Sequence, residues 1–379
     1  MLLYSMSSRK YQDDYIRQHQ QKISGHRKYQ DTHKTHIPLP SSKKLPTSPC
    51  TGIHHTSGMT QARSHLIPSG ASGTYHCVQR CVRRAFLCGI DHYTNQSFEH
   101  RKAWVEERIA LVSESFSVAV YAYAVMSNHL HLVLHVDPGN TQNWSDDEVA
   151  QRWVRLFPPR DDSDQARTFK QNQLIANPVR LELCRQRLGS LSWLMKCLAE
   201  PIARQANAED YCKGRFWEGR FKSQLLCDDK AVLAAMAYVD LNPIRAGIAK
   251  HIDKSPHTSI QQRIQALKKT PSLVKQALRP LHGNLLACLP VRLGDYIELV
   301  EWTGKQVRTD KRGAIPKQTP SILKNLHVSK QRWTTQVKGI GSSYWRAVGD
   351  VEDLLGTAKR LNQRWLKGIG TAMVLEKIK

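Results

Sequence analysis

Three histidines, separated by one and then by three residues within one apolar run, are the side chains of this sequence best placed for chemistry. Residues 119–136, AVYAYAVMSNHLHLVLHV, comprise two apolar runs joined by a Ser-Asn pair, a pattern typical of a β-hairpin. In the second run His129, His131 and His135 fall on one face of a strand, and leucines fall on the other. Burial of the leucines therefore predicts a row of imidazoles on the opposite face.

His129 and His131 have the spacing of two ligands to one metal ion. Their Cα atoms would lie roughly 6–7 Å apart on a strand, so the two imidazoles can converge on one divalent cation. His135 would lie about 13 Å beyond His131, too far for the same coordination shell. Taken alone, the HxH motif fits a pair of half-buried structural histidines equally well.

The net charge of +24 is concentrated outside this histidine segment. A chain of 379 residues allows one or two domains with a sizeable core. Residues 1–58 carry 9 Lys and Arg against 3 Asp, and residues 260–379 carry 22 Lys and Arg against 8 Asp and Glu. Basic flanks around a near-neutral centre favour a nucleic-acid partner, although solvated Lys-rich helix faces would give the same composition.

Composition argues against several other classes of protein. Nine cysteines without a CxxC pair, and an opening too polar for a signal peptide, predict reduced thiols and a cytoplasmic location. No apolar run reaches the length of a membrane span, so no membrane partner is expected. A zinc deaminase would need HxE with PCxxC, and neither motif occurs.

We predict three regions along the chain. Residues 1–58 are polar and basic, typical of a disordered arm or of a segment upstream of the natural start. Residues 59–259 form the domain that carries the candidate site. Residues 260–379 form a basic helical accessory region, which either binds DNA or only stabilises the fold.

Periodicity and capping signals predict the elements that position the histidines. The predictions are a strand at 73–81, a helix at 97–115 with Ser97 as N-cap, a helix from Ser145 toward Phe157, a loop at 158–178, helices at 188–208 and 228–242, and helical stretches near 260–269, 291–301 and 350–368.

Residues 214–226, GRFWEGRFKSQLL, interleave cations with aromatic side chains. This pattern suits single-stranded nucleic acid, with phosphates on the cations and bases stacked on the rings. The alternative is a strand whose aromatic residues lie in the core while its cations face solvent, and both can hold on opposite faces. The candidate DNA contacts are Arg80, Arg83, Arg84, Arg215, Phe216, Trp217, Arg220 and Lys222.

Tyr238 and Asn242 lie four residues apart near the end of the helix predicted at 228–242. They share one face if the helix continues, but Pro243 disfavours helical geometry at the residue before it. A single tyrosine on a helix most often has a core or interface role.

Four segments, in this order and spacing, resemble the REP-associated tyrosine transposases, a bacterial branch of the single-tyrosine HUH transposases. The segments are TYHCVQRCVRRAFLCG, AYAVMSNHLHLVLHV, GRFWEGRFKSQLL and AYVDLNPIRAGIA, within residues 73–260. HxH on a hairpin followed by YxxxNPxRAG on a helix is the specific part. The resemblance implies an α+β fold: a ferredoxin-like antiparallel sheet with helices on one face and a metal site on the other.

The resemblance also implies roles for individual residues. His129 and His131 match the metal-binding pair, Asn242 matches the polar residue that completes the metal shell, and Tyr238 matches the nucleophile. It implies Mg²⁺ or Mn²⁺ as the ion and single-stranded DNA with a palindromic hairpin as the partner, with no small-molecule organic cofactor. The sequence leaves open a monomer or a homodimer.

Two other functions fit parts of the sequence. One is a DNA-binding relative that does not cleave, against which the intact His129, His131 and Tyr238 speak. The other is a metallohydrolase with an HxH site, which would need repeated βα units and further histidines at strand ends. The next histidines after His135 are His251 and His257, in a stretch that has the pattern of a loop and a helix start.

Overall fold

The hairpin predicted at residues 119–136 forms the centre of the main sheet. The computed structural model of the protein describes residues 70–82, 87–91, 95–307, 319–342 and 346–377. In it β2 (Val118–Val125) and β3 (His129–Val136) pair antiparallel, with Ser127 and Asn128 in the connection. β1 (Gly73–Arg80) pairs antiparallel with the other edge of β3, and β4 (Lys222–Leu226) pairs antiparallel with β1.

Two short strands complete this sheet at its edges. β6 (His282–Gly283) pairs with β2, and β8 (Ala347–Val348) pairs parallel with β4, so that the order is β6-β2-β3-β1-β4-β8. β5 (Ala277–Leu278) and β7 (Leu289–Arg292) form a separate two-stranded sheet. The fold is a mixed α+β fold with a mostly antiparallel sheet. The described residues therefore do not form the repeated parallel βα units that the metallohydrolase alternative requires.

Helices connect and cover the strands. The α-helices of the described residues are, in chain order, α1 (Arg101–Ser115), α2 (Asp146–Leu156), α3 (Asp164–Ile175), α4 (Pro178–Leu188), α5 (Leu191–Glu209), α6 (Asp229–Asp240), α7 (Asn242–Arg245), α8 (Ser259–Lys269), α9 (Leu293–Val307), α10 (Ser321–Asn325), α11 (Lys330–Gly339), α12 (Val351–Arg360) and α13 (Ile369–Glu376). None of them has both the length and the apolar character needed to cross a bilayer.

Helices pack on both faces of the sheet, so the expectation of helices on one face only is wrong. The leucines of β3 face a core that includes residues of α1 and α5, such as Ile109 and Leu198. On the opposite face, Val133 packs in a second core with α6. Every residue from Ala231 to Ala237 of α6 is buried, and a helix that is apolar all round must be covered on all sides. Its small alanines let it lie close over the histidine face of the sheet.

The C-terminal residues supply the rest of that cover. Trp302 of α9 and Trp333 of α11 share the second core with α6, and the described residues from 70 onward belong to one compact unit. The described part of residues 260–379 is thus structurally continuous with the sheet. Its separate DNA-binding role stays a prediction, and the disordered arm predicted at residues 1–58 lies outside the described residues.

Two predicted elements are wrong in detail. The helix expected from Ser97 begins at Arg101, because the Ser97 hydroxyl accepts from the Glu99 N–H in a turn before the helix. The loop expected at 158–178 contains α3 and the start of α4. Ser163 and Asn177 cap these two helices, and Pro178 occupies the first position of α4, where its missing N–H costs nothing.

Candidate active site

His129 and His131 project from β3 toward α6. Their ring centroids lie 4.7 Å apart and their planes cross at 80°. His131 is buried, with 4% of its surface exposed, whereas His129 is half-buried. The His129 Nδ1 lies 2.6 Å from the Asn128 side-chain oxygen, which can only accept a hydrogen bond. A neutral His129 therefore carries its proton on Nδ1 and keeps the Nε2 lone pair available.

The third histidine of the predicted row has a structural role. His135 Nδ1 lies 2.9 Å from the Thr74 hydroxyl on the neighbouring strand β1, and its Nε2 lies 3.1 Å from the Ser72 hydroxyl. Both ring nitrogens are thus occupied by protein partners. This agrees with the prediction that His135 lies too far along the strand to join the pair.

His76 of β1 belongs to the site and was missed by the sequence prediction. Its Nε2 lies 2.9 Å from His131 Nδ1, and the two rings are nearly parallel. On the other side, His76 Nδ1 lies 3.4 Å from the side-chain oxygen of Gln224 in β4. The register explains the row, because His76 is paired with Gln224 on one side and with Val133, two positions from His131, on the other. A histidine in the middle of the predicted first strand was the available signal.

All three imidazoles are held in the neutral form. Burial lowers the pKa of His76 to about 4, and burial together with the nearby Arg80 lowers the pKa of His129 to about 4. The pKa of His131 lies well below its usual range because of burial and the surrounding positive or titratable groups, including Arg245. Metal ligation requires a neutral imidazole, so at neutral pH this site is already in the ligating protonation state.

Tyr238 of α6 lies directly over this row of histidines. Its ring meets the rings of His76 and His131 edge-on, with centroids 5.7 Å away in each case. The ring is half-buried and stands on the same side of the sheet as the imidazoles. The structure therefore brings together Tyr238 and His131, which the sequence places far apart.

The opposite side of α6 is anchored by Asp240, and this sets the direction of Tyr238. Residues two apart on a helix point to roughly opposite sides. The buried Asp240 carboxylate accepts from the Ile260 N–H at 3.0 Å and from the Tyr296 hydroxyl at 2.5 Å, and it also contacts the Ser259 hydroxyl. Burial raises its pKa to about 6. These contacts fix the rotation of the helix and turn Tyr238 toward the sheet.

Two further residues border Tyr238 and were not predicted. The guanidinium carbon of Arg245, in α7, lies 4.5 Å from the Tyr238 ring centroid. Gly341 lies beside the hydroxyl, so close that a Cβ there would lie 3.0 Å from Tyr238 Oη. Gly341 has φ +77° in a type II turn closed by the Ser342 N–H and the Gly339 carbonyl at 3.0 Å. The turn follows α11, so the C-terminal region lines the site.

Asn242 begins α7, one helical turn after Tyr238. Its side-chain Nδ2 is buried and has no hydrogen-bond partner among the described residues. A buried amide end without a partner costs about 1–3 kcal/mol. Rotation of the amide by half a turn would place the oxygen there, and oxygen is the atom of this group that binds cations.

The separation of the two predicted histidine ligands fits a divalent ion. Two neutral imidazoles that share one ion at about 2.1 Å have ring centroids roughly 5 Å apart, close to the separation of His129 and His131. Both residues have Nδ1 engaged by protein partners, the arrangement that orients a ligating histidine. The orphaned amide of Asn242 adds a third candidate group. The role of these three residues as ligands stays a prediction.

An acidic cluster elsewhere has a structural explanation. In the described residues, Asp228, Asp350 and Asp353 form a group with ligand atoms within 4.8 Å of one another. However, the Asp350 carboxylate pairs with Lys230 at 2.7 Å and with Arg332 at 2.8 Å. Asp228 caps α6 and accepts from the Asp350 N–H at 2.7 Å. These contacts join the start of α12 to α6.

The predicted DNA-contacting cations border the histidine face. By strand alternation and register, Arg80 and Lys222 share that face with His76 and His131, and Arg80 is paired opposite His129. The side chains of Arg80, Arg215, Arg220 and Lys222 are exposed. Arg83 and Arg84 lie outside the described residues. Phosphate binding by these cations stays a prediction.

The two aromatic residues proposed to stack on bases are engaged in the fold. Phe216 is 2% exposed and lies in the core on the leucine face, so a base cannot stack on its ring. Trp217 is half-buried, and its indole N–H donates to the Ala199 carbonyl at 2.8 Å. For Phe216 the alternative with a core aromatic is correct, because apolar rings next to a strand are buried more readily than left for a ligand.

Comparisons with known proteins give little sequence support for a family. No family model and no curated protein matches the chain. Among solved structures, the chain is similar to a REP-associated tyrosine transposase bound to a REP hairpin, with 12% identity and a TM-score of 0.28. The similarity covers 57% of this chain and 93% of the other chain. A TM-score this low carries no functional inference.

Proposed function

We propose that this protein is a metal-dependent transposase that cleaves and rejoins single-stranded DNA next to short palindromic hairpins. Tyr238 is the nucleophile. The observation that supports this proposal is the position of Tyr238, whose ring lies edge-on to His76 and His131 on the histidine face of the sheet. Tyr238, the neutral imidazoles of His129 and His131 and the guanidinium of Arg245 lie on the same side of the sheet.

The reaction is an exchange of one phosphodiester bond for another. Tyr238 Oη loses its proton and attacks phosphorus, the bond from phosphorus to the 3′ oxygen breaks, and that oxygen takes up a proton. The products are a 5′-phosphotyrosine and a free 3′-OH, and attack by another 3′-OH on the adduct reverses the reaction. A phenol is a poor nucleophile in its protonated form, so Tyr238 needs its anion to be stabilised in order to react.

Arg245 is placed to supply part of that stabilisation. Its guanidinium lies over the Tyr238 ring and close enough to His131 to lower its pKa. A fixed positive charge beside a phenol stabilises the phenolate and attracts the phosphate that it attacks. Arg80, on the same face of the sheet, adds positive charge next to His129.

His129, His131 and Asn242 would hold Mg²⁺ or Mn²⁺, although two imidazoles would also suit zinc. When bound, the ion supplies Lewis-acid polarisation of the scissile phosphate. The protein's own contribution is to keep both imidazoles neutral and oriented, and to hold the Tyr238 ring against the ring of His131. The exposed cations Arg215, Arg220 and Lys222 would bind the DNA backbone outside the reacting phosphate.

A covalent-adduct assay tests the proposal. The full-length protein is incubated with pooled single-stranded hairpin DNA and Mn²⁺, and protein–DNA adducts are separated under denaturing conditions. Adducts are expected from the wild-type protein and from Tyr211→Phe, a control at an exposed tyrosine away from the histidine face, but not from Tyr238→Phe. An adduct of undiminished yield in Tyr238→Phe, or none in the wild-type protein, would contradict the proposal.

A further inference from the structure

Three buried polar side chains form a row across β4, β1 and β3. Gln224, His76 and His131 are 5%, 1% and 4% exposed. The Gln224 side-chain oxygen lies 3.4 Å from His76 Nδ1, and His76 Nε2 lies 2.9 Å from His131 Nδ1. The two imidazole planes differ by 9° and the ring centroids lie 5.2 Å apart, a separation that fits two rings joined nitrogen to nitrogen at 2.9 Å. Buried polar groups are nearly always hydrogen-bonded, and the donors and acceptors of these two contacts decide where the protons lie.

The polarity of the row follows from its first member. An amide oxygen accepts and never donates, so His76 carries its proton on Nδ1 and donates it to Gln224. A neutral imidazole has one N–H, and Nε2 of His76 is therefore an acceptor. His131 must then carry its own proton on Nδ1 and donate it to His76. Its Nε2 is left with a free lone pair.

We infer that His76 and Gln224 are positioning residues that hold His131 in the tautomer whose Nε2 lone pair is free for a metal ion. His129 reaches the same tautomer through a local contact, because Asn128 accepts from its Nδ1. The two histidines of the pair thus present the same ring nitrogen by two different routes. The inference rests on the proposed function, since it concerns the metal site of that function.

The hydrogen bonds that orient His131 come from His76 and Gln224 on neighbouring strands. They can therefore be removed by substitutions that leave His129 and His131 unchanged. Loss of the hydrogen-bonding partner of a ligating histidine typically lowers metal affinity about 10–100-fold. His76→Phe removes the acceptor for His131, whereas His76→Gln retains an acceptor oxygen. Gln224→Met has a similar shape to glutamine but removes the group that sets the polarity of the row.

The matched control lies on the same strand. Thr74→Val removes the 2.9 Å hydrogen bond to His135 Nδ1 and leaves the row of Gln224, His76 and His131 intact. Thr74 and His76 are two positions apart on β1 and face the same side of the sheet. The control therefore also removes a histidine hydrogen bond next to the core, but not one that leads to the pair.

The experiment has a spectroscopic and a thermodynamic readout. The full-length protein is labelled with ¹⁵N-histidine, and the tautomer of each ring is assigned by NMR in the metal-free state. Affinity for Mn²⁺ is then measured by calorimetry. In the wild-type protein His131 should be the Nδ1–H tautomer, and His76→Phe should bind Mn²⁺ about 10–100-fold more weakly. Gln224→Met should show a mixture of His131 tautomers, and His76→Gln should recover most of the affinity.

Several outcomes would overturn the inference. It fails if His131 is protonated on Nε2 in the metal-free wild-type protein, or if His76→Phe binds Mn²⁺ as tightly as Thr74→Val. It also fails if the wild-type protein binds no divalent ion. A protein that gives the expected tautomers and affinities but forms no tyrosine adduct would refute the proposed reaction and leave the role of His76 standing.

Discussion

The ring of Tyr238 meets the ring of His131 edge-on, with the two centroids 5.7 Å apart. If the pair of histidines serves the reaction of Tyr238, removal of either imidazole should abolish most of it. His129→Ala and His131→Ala should each lower the rate of adduct formation about 100-fold or more, because ion binding supplies several kcal/mol of charge stabilisation. His135→Gln should react at the wild-type rate. Rates are measured in single turnover on one hairpin substrate, and a fast His131→Ala would contradict the assignment.

Arg245 should matter for the rate more than for folding. Arg245→Gln removes the charge above the Tyr238 ring and should slow adduct formation about 10–100-fold, whereas Arg245→Lys should lose less. Lys268→Gln, an exposed residue of α8, changes the net charge by the same amount and should react normally. Equal rates for Arg245→Gln and Lys268→Gln, with hairpin affinity unchanged, would exclude a role for this cation at the nucleophile.

Gly341 should be sensitive to a single methyl group. Gly341→Ala places a Cβ 3.0 Å from Tyr238 Oη at a residue with φ +77°. Displacement of the hydroxyl should slow the reaction about tenfold or more, since small misplacements of reacting groups are costly. Gly70→Ala is the matched control, because Gly70 has φ +80° and open space around it. Both variants place alanine at a positive φ, but only Gly341→Ala brings a Cβ against the Tyr238 hydroxyl. Similar single-turnover rates for the two variants would contradict the predicted effect of that contact.

Stability should fall with pH below about 6.5, partly through His76. Burial lowers the pKa of His76 from 6.5 to about 4. As the pH falls below 6.5, His76 becomes protonated in the unfolded chain, whereas in the folded protein it stays neutral until about pH 4. Protonation of His76 therefore lowers the free energy of unfolding by about 3 kcal/mol across this pH range. Asp240 has the opposite effect between about pH 6 and pH 3.8. Because its pKa is raised, the folded protein binds this proton at a higher pH than the unfolded chain does, and its protonation raises the free energy of unfolding. The free energy of unfolding of His76→Phe, from urea titrations at pH 7 and 4.5, should therefore change less than that of the wild-type protein; equal changes would contradict burial of a neutral His76.

The cations on the histidine face should govern the salt dependence of DNA binding. Arg80→Gln and Lys222→Gln should each weaken binding to single-stranded DNA and reduce the slope of log affinity against log salt by about 0.7. Arg167→Gln should leave the slope unchanged, because Arg167 is paired with Asp162 away from this face. Fluorescence anisotropy at several salt concentrations measures the slopes, and an unchanged slope for Arg80→Gln would place the DNA elsewhere.

Local signals predicted the parts of the site that depend on one element. The alternation of His129 and His131 with leucines predicted both the strand and the face on which the imidazoles lie. The helix predicted at 228–242, which carries Tyr238, begins at Asp229 with Asp228 as its cap. These features depend only on the alternation of side chains along a strand or on the residue that caps a helix. Both can be recognised from a few consecutive residues of the sequence.

The parts that depend on contacts between distant elements could not be predicted in the same way. His76 joins His131 only because β1 and β3 pair in one particular register, and Arg245 reaches Tyr238 only because α7 follows α6 with little change of direction. The cover on the histidine face was missed because the resemblance implied helices on one face of the sheet and the metal site on the other. Phe216 was misplaced because burial and base stacking favour the same side chains.

The parallel pairing of β8 with β4 determines how much of this protein can be cut away. The Arg346 carbonyl accepts from the Leu225 N–H at 2.9 Å, and the Val348 carbonyl accepts from the Cys227 N–H at 2.8 Å. A polypeptide ending before residue 346 would leave these donors of β4 exposed as an open edge, which other chains can extend into aggregates. Removal from residue 270 onward would also strip Trp302 and Trp333 from the core around α6. Shortened versions should therefore be lost to self-association or proteolysis, and questions about the C-terminal region are better asked with single substitutions on its exposed surface.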